Sequence, residues 1–475
     1  MVSFLISLAA LVAGYFIYGA VVDRVFGSDP NRKTPAVTKA DGIDFVELPW
    51  YRIFLIQLLN IAGLGPIFGA IMGALFGPMA FLWIVLGTIF AGGVHDYFSG
   101  MLSLRHDGKS ISEIVGIYLG DKARLVMRVF SIVLLVLVGT VFMYGPAGLL
   151  ANLGMKGIFA QKQFWLVLIL AYYFIATVVP VDKLIGRLYP VFGAVLLIMA
   201  LGVGGAIILG GLPVPEINFV NTHPKGLTIW PMLFITIACG AISGFHSTQS
   251  PVMARCLPNE KYGRRVFYGA MIGEGIIALI WAAAAMSFFP GGIAGLSEVT
   301  AQGGAGLVVN QVSIGLLGGV GGFLAILGVI ACPITSGDTA FRSARLTIAD
   351  SMNMDQAPIK NRLLIAIPML AVGFTLTFID FSIIWRYFAW SNQTLATIVL
   401  WASAAYLVIN KKFHWMATIP ATFMTAVVTT YILQAPEGFK LPVTISYPVG
   451  IVVAITLLAL FIWRMPKKEA IPEAA

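Results

Sequence analysis

Thirteen runs of mostly apolar residues follow one another along this chain: 2–22, 53–76, 79–104, 127–150, 163–180, 187–211, 229–249, 266–289, 309–333, 361–379, 382–409, 413–434 and 444–464. Most come close to the ~20 residues a helix needs to cross a bilayer. Lipid offers no partner for a backbone N–H or C=O, so each run is expected to satisfy itself as a helix. The balance of residues agrees, since 59% of the 475 are hydrophobic and 11% charged. A soluble domain carries about 25% charged residues. A soluble core also stops growing near ~250–300 residues, too early to hide this much apolar surface.

The loops orient the runs. Of the 30 Lys and Arg residues, 25 fall in the odd-numbered loops and the C-terminal tail, and 5 in the even-numbered loops. Cytoplasmic loops collect Lys and Arg. The N-terminus is therefore expected outside and the C-terminus in the cytoplasm, in a cytoplasmic (inner) membrane. The net charge of +9 has the same origin, and nucleic acid is not an expected partner. Run 2–22 has neither a basic start nor a small-residue cleavage site, so it is expected to be retained as a span. Cys239, Cys256 and Cys332 show no metal or redox spacing and are expected as packing residues.

Two runs are poor continuous helices. Asn60–Pro66 (NIAGLGP) places two glycines and a proline in the middle of the second run. Proline removes an intrahelical hydrogen bond, and glycine lowers the cost of leaving helical geometry. An unwound stretch is expected there, with a half-helix starting near Pro66. Gly65, Gly69, Gly73 and Gly77 form a smooth ridge suited to close helix packing. Ala238–Pro251 (ACGAISGFHSTQSP) interrupts the seventh run in the same manner.

The two interruptions lie five spans apart, an odd number, so the two helices run in opposite directions. Interrupted helices at corresponding places of inverted halves mark a transporter's central site. The expected fold is all-α and polytopic, with a five-plus-five inverted repeat. Residues 1–52 form a leading helix and cytoplasmic loop, 53–212 repeat one, 228–410 repeat two, and 411–475 two trailing helices and a tail. Expected substrate contacts are Asn60, Ala62, Gly63, Gly65, Gly240, Ser243, Gly244, His246 and Gln249. Half-helix N-termini there can hold a carboxylate.

Several stretches resemble the carbon starvation protein A family. They are Leu59–Ala70 (LNIAGLGPIFGA), Gly92–Met101 (GGVHDYFSGM), Ser103–Ser110 (SLRHDGKS), Gly244–Pro251 (GFHSTQSP) and Thr335–Ser343 (TSGDTAFRS). The resemblance runs from about the first span to the eleventh, in a chain shorter than many members. It implies a cytoplasmic-membrane transporter that takes up peptides or pyruvate during nutrient limitation. It also implies kinship with the amino acid–polyamine–organocation superfamily, which uses the five-plus-five repeat. Both solutes carry a carboxylate, and the sequence does not choose between them.

Ionisable groups inside spans are costly and mark functional candidates. His95 and Asp96 lie in the third span, pointing about 100° apart, so they need not pair with each other. They suit either a structural hydrogen bond to a neighbouring helix or a proton relay. Glu274 either packs against a cavity or carries a coupling proton. Thr335, Ser336, Asp338 and Thr339 are expected to close the ninth span after Pro333. By the resemblance, Thr335 and Ser336 could hold sodium together with carbonyls of the first interrupted helix. Asp338 could be a proton carrier or a plain helix cap. His106, His223 and His414 receive no role.

No cofactor is expected beyond a coupling proton or sodium ion. The expected partners are a small solute and the lipid bilayer, with no obligate protein partner. No phosphate-binding loop, His-Glu-x-x-His or catalytic Gly-x-Ser-x-Gly elbow occurs, which disfavours ATP drive and an intramembrane enzyme. A channel or a nutrient sensor on a transporter fold is the alternative.

Overall fold

Each apolar run carries helix, as backbone satisfaction in lipid requires. The computed structural model describes residues 1–42, 45–151, 156–178, 181–352, 354–356 and 358–464, and no strand occurs among them. The first half contains α1 (Val2–Phe26), α2 (Trp50–Ile61), α3 (Gly65–Phe76), α4 (Met79–Arg105), α5 (Ile111–Leu119), α6 (Asp121–Ala151), α7 (Lys162–Val178) and α8 (Val181–Leu209). The second contains α9 (Ile229–Thr236), α10 (Gly244–Ala254), α11 (Glu260–Ser287), α12 (Ile293–Ser351), α13 (Ile359–Leu376), α14 (Phe381–Ile409), α15 (Trp415–Gln434) and α16 (Val443–Arg464).

Ten helices among the described residues are long and apolar enough to cross a membrane, and the bent pair α2–α3 brings the number to 11. Helix α7 and the pair α9–α10 are helical but shorter, so length alone does not establish thirteen crossings. The end of the fifth run, 179–180, and the tail with Lys467 and Lys468 lie outside the described residues. Ile6, Leu201, Leu364 and Val452 belong to a broad exposed apolar surface suited to lipid.

Both interruptions are present. Helices α2 and α3 meet at a 55° bend across Ala62–Leu64. Helices α9 and α10 are separated by 237–243, and Ser247–Pro251 is already helical, so this break is shorter than expected. The broken helices cross at their breaks, in contact along the glycine ridge. A Cβ on Gly65 would collide with Cys239, one on Gly69 would lie 2.9 Å from the Thr236 carbonyl oxygen, and one on Gly73 would strike Ile237. Gly77 has a different task. Its φ of +96° turns the chain into α4, a conformation glycine adopts freely.

The ninth span departs from expectation. Helix α12 does not stop at Pro333 but continues to Ser351. Membrane helices tolerate proline where hydroxyls and neighbouring helices satisfy the backbone. Here Thr335 and Ser336 donate back to the Ala331 and Cys332 carbonyls. The chain instead bends at Gly303–Gly304 and at Gly318, where φ is +65° at Gly304 and +68° at Gly318. The span therefore begins after Gly318, and Thr335–Thr339 sit inside a helix rather than at its end.

Candidate transport site

The two breaks expose backbone groups that lipid could not satisfy, and side chains from other helices bond to them. Trp83 Nε1 donates to the Ile237 carbonyl at 3.1 Å, Thr88 Oγ1 to Gly240 at 3.0 Å and Gln393 Nε2 to Ile242 at 3.0 Å. Asn392 Oδ1 accepts from Ser243 Oγ at 3.0 Å and from the Phe245 N–H at 2.7 Å, which caps α10. This cap answers one free donor of the half-helix. The tract Ser391–Thr394 (SNQT), inside an apolar run, was the available sequence signal for Asn392 and Gln393.

The expected substrate residues sit at the crossing, all buried. Asn60 is 1% exposed, and neither side-chain polar atom has a partner. Gly63 packs against Phe142, Gly240 against Ala278, and Gly244 against the Asn392 and Leu395 region of α14. Ala62 ends α2. Gln249 Nε2 reaches Thr248 and Ser343, and its Oε1 has no partner. His246 does not face open space. Its Nδ1 lies 2.9 Å from Asp96 Oδ2, and its Nε2 lies 3.2 Å from Glu274 Oε2. His95 and Asp96 do pair, at 2.7 Å from Nδ1 to Oδ1, because the Asp96 carboxylate turns one oxygen to each imidazole.

The remaining coupling candidates form a second group. Ser336 Oγ donates to the Leu59 carbonyl at 3.0 Å, so a hydroxyl of α12 and a carbonyl of α2 do meet. Cys332 Sγ also donates to that carbonyl, at 3.3 Å. Asp338 is not a cap. It is buried within α12, accepts from Tyr189 at 2.9 Å and lies 3.9 Å from Arg342. Thr339 donates to the Ser336 carbonyl. Cys239, His246 and Glu274 place donor atoms within 4.8 Å of one another, the one such grouping among the described residues. The Cys239 thiol is already engaged with Ser243 and Asn392, so the trio is not an open ligand set.

A cavity of about 860 Å³ opens on the even-loop side and runs down to Phe68 and Thr236, beside the two breaks. Its lining includes Tyr144, Trp385, His223, Lys225 and Arg386. Sequence reasoning missed these five. His223 and Lys225 sit in a loop with no motif, and Arg386 counted only as a minority charge. Burial, and then Lys225, push His223 below the usual imidazole range. Positive charge at the cavity thus comes from Lys225, because Arg386 is paired with Glu437 at 3.0 Å.

The odd-loop end is tied together by buried polar contacts. Arg105 Nε and Nη2 donate to the two Glu260 carboxylate oxygens at 3.2 and 3.1 Å. The same guanidinium reaches Tyr406 at 2.9 Å and the Gly27 carbonyl at 2.6 Å, and Lys412 donates to the Phe26 carbonyl. Arg105 and Glu260 are 6% and 0% exposed, so α1, α4, α11 and α14 are joined by a buried ion pair. His106, also without an expected role, is buried against Tyr118.

Known proteins share this fold and sequence. The manganese transporter of Eremococcus coleocola superposes with a TM-score of 0.55 at 12% identity, over 89% of this chain and 97% of its own. MhsT in complex with L-phenylalanine gives 0.54 at 14% identity, over 87% and 99%. These likenesses support an inverted-repeat transporter fold. In sequence, an uncharacterized membrane protein of Haemophilus influenzae is 42% identical over 61% of this chain and 91% of its own length. The peptide transporter CstA of Escherichia coli is 25% identical over 88% and 78%. The pyruvate/proton symporter BtsT of Escherichia coli is 27% identical over 60% of this chain, which spans about half (49%) of that relative. The profile of carbon starvation protein CstA matches residues 1–154 and 145–313, and the chain belongs to that family.

Proposed function

We propose that this protein is a secondary-active importer of small carboxylate-bearing nutrients, peptides or pyruvate, in the cytoplasmic membrane. It works by ion-coupled alternating access, with the N-terminus outside and the C-terminus in the cytoplasm. The observation that carries this reading is the crossing of the two broken helices. A cavity reaches it from the even-loop side. A buried ion pair ties the odd-loop side together. One-sided access to a midplane crossing is what a transporter in one of its two states presents. The relatives named as peptide and pyruvate transporters support the solute class. Lys225 suits an anionic solute at the entrance.

Purified protein in liposomes is expected to accumulate labelled pyruvate or a dipeptide under an imposed proton or sodium gradient. Equilibration that ignores both gradients would remove the coupled-importer assignment. No exchange of either solute would remove transport of this class.

A further inference from the structure

His95, Asp96, His246 and Glu274 are fully buried and lie side by side in space, each next to the one before it. They come from α4, α10 and α11. Asp96 binds both imidazoles, and the far nitrogen of His246 faces Glu274 at 3.2 Å. Among the described residues, no Lys or Arg forms an ion pair with any of the four. With both imidazoles neutral and both carboxylates ionised, the group holds two negative charges away from water. A low-dielectric interior penalises such charge heavily unless it is compensated. His246 Nε2 and both Glu274 oxygens also lack a hydrogen-bond partner. One proton placed between Nε2 and Oε2 removes a charge and gives both groups a partner.

We infer that this array, centred on His246 and Glu274, is the proton site through which an ion gradient drives the importer. The inference rests on the import function proposed above and names its coupling ion. Position links the array to both broken helices. His246 lies in the first turn of α10, just past the second break. Glu274 lies near Cys332, whose thiol donates to Leu59 at the end of α2. A proton taken up from one side is held as an N–H or O–H between His246 and Glu274. Movement of α10 against α11 separates the pair, and the proton leaves to the other side. Only N–H and O–H bonds form and break.

The rival positions are already engaged. The Leu59 carbonyl that a sodium ion would need accepts from both Cys332 and Ser336. Asp338 has Tyr189 and Arg342 beside it. The other titratable groups around the array are also in use. Cys239 contacts Ser243, and Cys332 donates to the Leu59 carbonyl.

Infrared difference spectroscopy on the purified full chain, titrated between about pH 5 and 9, tests the site without any substrate. A protonated-carboxyl band should titrate together with imidazole bands. It should vanish in Glu274→Gln and shift in His246→Gln. If Glu274→Gln does not fold, Glu274→Asp keeps the carboxylate at shorter reach and should displace the titration. A wild-type spectrum in all three variants overturns the inference. In liposomes without sodium, a pH gradient should drive accumulation, and Glu274→Gln should fall to the equilibrium level with a flattened pH profile of exchange. Accumulation that follows sodium instead overturns it. A titrating band with no solute exchange at all overturns the import function and with it the coupling role, whereas exchange without the band overturns only the proton site.

Discussion

Asn392 of α14 accepts the Phe245 N–H of α10 at 2.7 Å, so one helix caps the broken end of another. It also accepts from Ser243 at 3.0 Å, and both contacts are fully buried. Asn392→Ala leaves a buried N–H and hydroxyl without their acceptor, at a cost of about 1–3 kcal/mol. The expected outcome is a lower melting temperature of the purified protein, together with faster hydrogen exchange at 243–246. An unchanged melting temperature would show that the break is held by other contacts.

The crossing of the broken helices leaves no room for side chains at Gly65 and Gly240, which face Cys239 and Ala278. Overpacking a filled interior costs about 1–3 kcal/mol and shifts backbone. Gly65→Leu and Gly240→Leu are each expected to insert into the membrane but to lose solute uptake. Immunodetection in membranes and an uptake assay check this, and full activity in both variants would deny the crossing its role.

Ion pairs of different burial should differ in weight. Removing Glu260 strands the buried Arg105 guanidinium, and breaking a buried pair costs about 3–5 kcal/mol. The pair of Lys39 and Asp107 is 45% and 38% exposed, where the expected effect is ~1 kcal/mol or less. Thermal unfolding in detergent should therefore rank Glu260→Ala far below Asp107→Ala. Loss of the odd-loop tie should also make cysteines placed along α14 near Tyr406 more reactive to thiol reagents.

Orientation is open to direct labelling. A cysteine at Lys225 should react with a membrane-impermeant maleimide added to intact cells. A cysteine at Lys109 should react only after permeabilisation. The reverse pattern would invert the topology.

Glu216 holds the first turn of α1, accepting from the Val2 and Ser3 N–H groups at 2.9 and 2.7 Å. The N-terminal ammonium first, and then Ser3, pull its carboxyl down to about 2. A carboxyl depressed on folding stabilises the fold above its ordinary range, and that contribution fades as pH falls towards the depressed value. Hydrogen exchange at residues 2–5 should stay slow at neutral pH and quicken as the medium is acidified. Glu216→Gln should be fast throughout.

The helical membrane class, the approximate places of the runs and both interruptions were legible in the sequence. Each rests on local chemistry: apolar length, glycine and proline. The boundaries of the ninth span were not. Pro333 looks like a stop, yet hydroxyls at 335 and 336 and packing in the bundle let the helix continue. Gly304 and Gly318, for which no role was expected, make the turns instead.

Backbone satisfaction and loop charge act residue by residue, so sequence alone determined an apolar, helical, interrupted chain and its expected orientation. Side-chain partnership depends on which helices become neighbours. Only the tertiary structure brought Asp96 between His95 and His246, Glu274 to the far side of that imidazole, Asn392 to the end of α10 and Arg105 to Glu260. Except for His95 with Asp96 and His246 with Glu274, the partners in those contacts lie over a hundred residues apart in the chain, and their distances are set by packing rather than by spacing.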